Sequence, residues 1–328
     1  MSFTPVRTAR PRLNRSQLAV PGSSRKFIEK AASLTADIIM FDLEDAVAPD
    51  EKEQARRNVV QAINDLDWGE RTLSVRINGL DTPFMYRDVI DVAEQAGHRL
   101  DLIMLPKTGT ASDVYTLDVL LTQIEWAKHR TRRIGLEVMI ESALGMRNID
   151  AIAGASARTE SLHFGSGDFA ASIGARTLSI GGPHPGYRVL ADADETGVRA
   201  SYWNDMWHYP LMRMVVAARA HGLRPIDGPF ADFRDEDGFQ SAATRSAVLG
   251  CEGKWVIHPS QIELANAIYT PAGEEVARAR RILAAMQDAQ ASGAGAVTLD
   301  GRMIDVASVR QAEAIVRKAD AIAAASVD

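Results

Sequence analysis

Five carboxylates stand where short apolar runs end. Asp42, Glu44 and Asp45 follow "DIIMF", Glu141 follows "IGLEVMI", and Asp168 follows "FGSG". Two cations hold comparable positions: Arg76 closes "TLSVR" and Lys107 follows "DLIMLP". Oxygen donors in excess over cations, with no His or Cys among them, suit a hard divalent ion such as Mg2+, with Mn2+ as the alternative, rather than zinc. A hard ion can act as a Lewis acid on a hydroxy acid or carbonyl. The competing reading is a structural ion network in which Arg76 neutralises Glu44 or Asp45. Five acids against two bases count against that reading, because a buried charge without a partner is costly.

Strand periodicity says where these groups point, since side chains alternate between faces. In "TLSVRIN", Leu73, Val75 and Ile77 share one face, while Ser74, Arg76 and Asn78 share the other. The same split in "GLEVMIES" separates Leu136, Val138 and Ile140 from Glu137, Met139 and Glu141. In "IIMFDLED" it separates Ile39, Phe41 and Leu43 from Met40, Asp42 and Glu44. Three strands therefore turn a polar residue to the same side near their C-terminal ends, where barrel enzymes build their sites.

The elements that position these residues alternate along the chain. Strand-like runs occur at 17–22, 37–43, 72–78, 101–107, 134–140, 161–167, 223–228 and 254–259, with helix-period stretches between most of them. Eight such units predict an α/β fold, a (β/α)8 TIM barrel, with a doubly wound open sheet as the runner-up. Asp50 with Glu53, and Ser260 with Glu263, fit the capping-box pattern at helix starts. Residues 170–205 form a long Gly-, Pro- and Asp-rich connection suited to an active-site flap. His184 within it lies among prolines and reads better as a surface turn than as a catalytic group. After His258 the pattern changes to helix over 260–288 with a break at "YTPAGEE", a Gly-rich loop, and an Ala-rich helix over 306–325, with no further strand. The expected division is a catalytic barrel over residues 1–262 and a C-terminal helical lid and oligomerisation segment over 263–328.

The bulk properties narrow the partners. The 328 residues are 46% hydrophobic and 24% charged, as expected of a globular protein with a sizeable core. A net charge of −6 argues against nucleic acid or an anionic membrane as the main partner. The single cysteine, Cys251, precludes an intramolecular disulfide and reads as a small buried residue. No segment has the roughly 20 apolar residues of a membrane span. Arg7, Arg10, Arg12 and Arg15 give the N-terminus a transit-peptide look, but Pro5 and Pro11 interrupt any amphipathic helix. A cytoplasmic location is expected.

The motifs "FDLEDAVAPDEKEQAR", "SVRINGLDT", "LPKTG", "MIESALG", "GSGDFAAS", "RPIDGPFADF", "GKWVIHPSQI" and "DGRMID" occur in the order found in the citrate lyase β-subunit/malyl-CoA lyase superfamily (the HpcH/HpaI aldolase group). The sequence resembles that superfamily from about residue 12 to 320, and within it most resembles the bacterial malyl-CoA lyases. The resemblance implies a TIM barrel with a C-terminal lid, assembled as a homotrimer or homohexamer. It also implies Mg2+-dependent, reversible cleavage of (S)-malyl-CoA to acetyl-CoA and glyoxylate, with β-methylmalyl-CoA as a further substrate. By the same resemblance Glu141 and Asp168 are metal ligands, Arg76 serves the reacting end of the substrate, and Glu44 and Asp45 hold waters of the metal. Asp305, the last acid of "DGRMID", is the implied acid/base, delivered by the lid of a neighbouring subunit. The basic residues Arg25, Lys26 and Lys30 are candidates for holding coenzyme A.

The residue types suit that chemistry. Breaking the bond between a hydroxyl-bearing carbon and the carbon next to a thioester needs charge stabilisation at both ends and a proton for the departing enolate. Related outcomes remain open from sequence: citramalyl-CoA cleavage, malyl-CoA thioester hydrolysis, a carrier-dependent citrate lyase β-type subunit, or a non-catalytic CoA-binding protein. The last is disfavoured because both metal-ligand positions are acidic.

Overall fold

The computed structural model describes residues 6, 8–96, 98–291, 293 and 295–325. The chain forms two compact units, Met1–Asn266 and Ala267–Asp328. The division falls inside a helix, Ser260–Ile268, slightly beyond the expected boundary after residue 262.

The first unit is a closed barrel of parallel strands. Its strands are β1 (Ser16–Pro21), β2 (Ile38–Asp42), β3 (Thr72–Arg76), β4 (Leu102–Leu105), β5 (Gly135–Ile140) and β6 (Thr159–Phe164). An exposed hairpin, β7 (Arg188–Ala193) with β8 (Arg199–Trp203), precedes the last two barrel strands, β9 (Arg224–Asp227) and β10 (Gly253–Val256). All eight strand-like runs are therefore barrel strands, and the open-sheet alternative is excluded by the pairing of β1 with both β2 and β10. Every residue of β2 to β6 is buried, as expected of parallel strands covered on both faces.

The alternation puts side chains where the sequence placed them. Phe41 points out and packs edge-on against Trp68, with ring centroids 5.3 Å apart. Inside the barrel, Met40, Met104, Met139, Ile226 and Trp255 form one apolar layer. A buried polar group comprises Gln17, Ser74, Glu137, Ser161 and His163. At the N-terminal ends of the strands the chain before β1 is tied down by ion pairs: Arg12 with Asp101 and Glu160, and Arg15 with Asp37. Gly253 is required there. A Cβ on it would lie 1.5 Å from the Asn14 carbonyl oxygen, and backbone cannot move aside cheaply. Gly253→Ala is expected to cost about 3 kcal/mol of stability, read by urea denaturation.

Neither capping box forms as expected. Residues Pro49–Glu51 make a 3-10 turn, and helix Lys52–Asp65 starts after Glu51 with no side-chain cap. Ser260 is already helical, and its hydroxyl and amide both meet His258 Nδ1, while Glu263 accepts from Thr35. The reciprocal pattern occurs at Thr110, whose amide donates to Asp113 Oδ2 at 2.9 Å. In both failures a nearby group outcompetes the acid: the Pro49 turn in one, the His258 ring in the other.

The second unit holds helices Gly273–Ala291 and Val306–Ala325, joined by a hairpin, β11 (Val297–Leu299) and β12 (Arg302–Ile304). The expected Gly-rich loop without a strand is thus a hairpin. Asp300 and Gly301 have φ of 50° and 72°, the turn that an Asp-Gly pair favours. Met286, Ala289 and Ile304 form its small core.

Candidate active site

A cleft of about 390 Å3 opens at the C-terminal ends of the barrel strands. Asp42, Asp45, Arg76, Glu141 and Asp168 line its polar side, and Ala19, Pro21, Met139, Ile180, Trp255 and Ile257 contribute apolar surface. The barrel register assembles the polar side. Pairing of β2 with β3 sets Asp42 directly beside Arg76.

Arg76 is held by three carboxylates. Its Nε and Nη2 donate to Asp42 Oδ1 and Oδ2 at 2.8 and 2.5 Å, a two-pronged match that fixes the guanidinium plane. Nη1 lies 2.9 Å from Glu44 Oε2 and 3.9 Å from Asp45 Oδ2. Burial opposes its charge, but Asp42 and Glu44 outweigh burial and hold the guanidinium more firmly protonated than usual. Asp42 is itself fixed by amides of Glu44 and Ala46, so the strand end and its loop form one unit. Lys107 Nζ bridges Glu44 Oε1 and Asp45 Oδ1 at 2.7 and 3.2 Å. Beneath, Lys52 Nζ donates to the carbonyls of Leu43 and Glu44, both at 2.7 Å.

Glu141 and Asp168 have a different environment. Among the described residues, neither forms an ion pair with Lys or Arg. Glu141 Oε1 accepts the Lys107 amide at 2.6 Å, an approach made with Lys107 in a left-handed conformation (φ 48°). That conformation costs about 1 kcal/mol for a side-chain-bearing residue. Burial, joined by the charges of Glu44 and Asp168, pushes the Glu141 carboxyl up to about 8. A Cβ at Gly165 would lie 2.3 Å from Glu141 Oε2, so glycine keeps the space beside that oxygen open. The Ser166 hydroxyl is buried there without a hydrogen-bond partner. Two carboxylates lacking direct counter-ions, with an open oxygen between them and the cleft, fit a hard divalent ion. No group of three or more His, Cys, Asp or Glu side chains suited to a metal occurs among the described residues. Two carboxylates are a donor set of the kind Mg2+ takes, since it keeps several waters and often uses one or two protein carboxylates.

A family model described as HpcH/HpaI aldolase/citrate lyase matches residues 15–259. The chain belongs to this family. An L-malyl-CoA/β-methylmalyl-CoA lyase of Cereibacter sphaeroides is 52% identical over 326 residues, covering 99% of this chain and 100% of that protein. A (3S)-malyl-CoA thioesterase of the same species is 37% identical, covering 94% of this chain and 96% of that protein. Among solved structures, a CitE protein of Mycobacterium tuberculosis in complex with magnesium, acetoacetate and coenzyme A superposes with a TM-score of 0.69. It is 29% identical and covers 93% of this chain and 97% of its own.

Seven of the residues singled out in sequence lie together in or beside this cleft: Asp42, Glu44, Asp45, Arg76, Lys107, Glu141 and Asp168. Arg25, Lys26 and Lys30 are exposed on the helix Arg25–Ala31 that follows β1, and they do not line the cleft. Asp305 belongs to the second unit, where its Oδ1 accepts from the amide and hydroxyl of Ser308. The amide leads in holding its carboxyl below the usual range. His184 caps a turn by accepting from the Gly186 amide, as its prolines suggested. Cys251 is buried, and burial pushes its thiol well up. Three roles were not read from sequence: Asp42 as the clamp on Arg76, Lys107 as the bridge, and Trp255, whose ring lies 5.4 Å from the Arg76 guanidinium carbon. The alternation already turned Asp42 inward, as it did Arg76, and that was the available signal.

Proposed function

We propose that the protein cleaves (S)-malyl-CoA reversibly to acetyl-CoA and glyoxylate, and β-methylmalyl-CoA to propionyl-CoA and glyoxylate. It is a carbon–carbon lyase. The end-to-end 52% identity to an L-malyl-CoA/β-methylmalyl-CoA lyase carries the reading, and the acidic cleft around Arg76 supplies chemistry consistent with it.

In this reading Glu141 and Asp168 hold Mg2+. When bound, the ion supplies Lewis acidity for the negative charge that develops on the 2-hydroxy acid end. Arg76 presents its fixed guanidinium to the thioester oxygen, where enolate charge appears as the carbon–carbon bond breaks. Because Asp42 fixes the guanidinium beforehand, little reorganisation is needed at that moment. Glu44 and Asp45, steadied by Lys107, accept hydrogen bonds from waters at the metal side of the cleft. In synthesis Asp305 would take a proton from the acetyl-CoA methyl while the alkoxide formed from glyoxylate takes one from water on the Glu44 and Asp45 side of the cleft. In cleavage the hydroxyl proton leaves to that water, and Asp305 returns a proton to the enolate carbon. We assign the second unit the role of a lid that brings Asp305 to a neighbouring subunit of a homotrimer or homohexamer, excluding water during the reaction. Arg25, Lys26 and Lys30 are assigned to the coenzyme A phosphates. No described helix is long and apolar enough to cross a membrane, and a cytoplasmic location is proposed.

The test is an assay of purified protein with Mg2+ and malyl-CoA, following glyoxylate and free CoA together. Glyoxylate equal to substrate consumed supports the lyase. Free CoA without glyoxylate overturns it in favour of thioester hydrolysis, the activity in the name of the 37% identical relative.

A further inference from the structure

The mechanism above leaves unused a buried polar column inside the barrel, beneath the cleft. Glu137 and His163 are fully buried, and Trp255 is only 3% exposed. Trp255 Nε1 lies 2.9 Å from His163 Nδ1. An indole N–H can only donate, so His163 Nδ1 carries no proton and acts as the acceptor. The proton of the ring is then on Nε2, which lies 2.9 Å from Ser161 Oγ and 3.2 Å from Glu137 Oε1. Glu137 is suited to fix that tautomer, because its other oxygen is already taken by Ser74 Oγ at 2.5 Å and Gln17 Nε2 at 2.9 Å. At the top of the column the indole faces Arg76, 5.4 Å from ring centroid to guanidinium carbon, within cation–π range. Asp42 grips one edge of the guanidinium, whose central carbon lies over the indole ring.

We infer that His163 is a positioning residue for the reaction: through Nδ1 it fixes the tilt of the Trp255 indole, and the indole fixes the plane of the Arg76 guanidinium. The inference rests on the role given to Arg76 above. Asp42 and, through Nη1, Glu44 hold the guanidinium by its N–H edges. The indole, pinned by one hydrogen bond to the buried column, limits the out-of-plane tilt that edge contacts leave. Ser161 and Glu137 act one step further away, by holding the proton on Nε2 so that Nδ1 remains an acceptor.

Three variants separate this from a general packing role. His163→Asn puts an amide oxygen where Nδ1 accepts. His163→Leu removes the acceptor, and Trp255→Phe keeps a ring beneath Arg76 but removes the donor. His163→Leu is expected to lower kcat for malyl-CoA about tenfold with KM within about twofold, a loss confined to the transition state. His163→Asn is expected to recover most of it. Adding His163→Leu to Trp255→Phe is expected to cost little more, because the link is already cut. Equal losses in the Asn and Leu variants, or independent losses in the double variant, would overturn the inference. If His163→Leu does not fold, the other two decide: Trp255→Phe at full kcat sinks the idea, and reduced kcat alongside a near-normal His163→Asn supports it. A readout without turnover keeps this separate from the lyase reading. In 15N spectra of the whole protein, the Arg76 Nε–H resonance is expected to move in Trp255→Phe and to stay near its wild-type position in His163→Asn. An unmoved resonance in Trp255→Phe refutes the column even if the wild type proves to act on another substrate.

Discussion

Arg76→Lys is expected to lower kcat for malyl-CoA cleavage by about 10²–10³-fold while KM changes by no more than about threefold. The reason lies in what Lys keeps and what it loses. An ammonium at this position still offers Asp42 and Glu44 a positive partner, so the buried acids retain compensation and the barrel retains its fold. It cannot reproduce the two parallel bonds to Asp42 that hold the guanidinium plane, nor the placement of the guanidinium over the Trp255 ring. The charge remains, but its direction is lost, and a charge aimed wrongly in a dry cleft stabilises a developing enolate poorly. Arg76→Met is a different experiment. It leaves Asp42, 2% exposed, without its cation, and is expected to destabilise the barrel by about 3–5 kcal/mol. Steady-state kinetics on the Lys variant, with thermal midpoints for both, checks the pair. Full activity in Arg76→Lys would remove Arg76 from the chemistry and leave it as a structural ion-pair residue.

That contrast shows how much the sequence disclosed. Strand alternation was enough to turn Asp42, Arg76 and Glu141 to one side, because a barrel strand has one inward face and its period is two. The barrel strands were legible for a second reason: runs such as "DIIMF" are buried on both faces and read as near-continuous apolar segments, with "QLAVPG" and "LRPIDG" the weak cases. Partner choice was less legible. Sequence offered Arg76 to Glu44 or Asp45, whereas its two-pronged partner is Asp42, a result of register between β2 and β3 that no local pattern encodes. The approach of the Lys107 amide to Glu141 is made with a left-handed backbone at a non-glycine residue, which sequence statistics disfavour. The hairpin at Asp300-Gly301 is the opposite case. Its Asp-Gly pair was a readable turn signal, passed over because the flanking strands are only three residues long. The capping boxes misled because motifs of that kind compete with whatever lies next to them, here a proline turn and a histidine ring.

Glu141→Gln is expected to abolish Mg2+-dependent activity, lowering kcat/KM by more than about 10³-fold, and also to flatten a pH dependence of stability in the metal-free protein. The second effect follows from the Glu141 carboxyl, pushed from an ordinary 4.5 up to about 8 by burial and by Glu44 and Asp168. A group whose folded pKa exceeds its unfolded value makes the folded state hold the extra proton between the two. Stability from that proton is full below about 4.5 and is lost as pH rises toward about 8. Each unit of displacement corresponds to about 1.4 kcal/mol, so the loss across this window amounts to several kcal/mol. Glutamine carries no titrating proton. In the presence of a chelator, the stability difference between the Gln variant and the wild type is therefore expected to grow with pH through this window. Other groups titrate in both proteins and cancel in that difference. Adding Mg2+ should reverse the order for the wild type alone, because the cation favours the ionised carboxylate and competes with the proton, so its affinity rises with pH up to about 8. Denaturant curves at several pH values, with and without Mg2+, give both readings. Parallel stability–pH curves for the two chelated proteins would mean that Glu141 is ionised without a metal, and that Arg76 and the Lys107 amide already balance its charge.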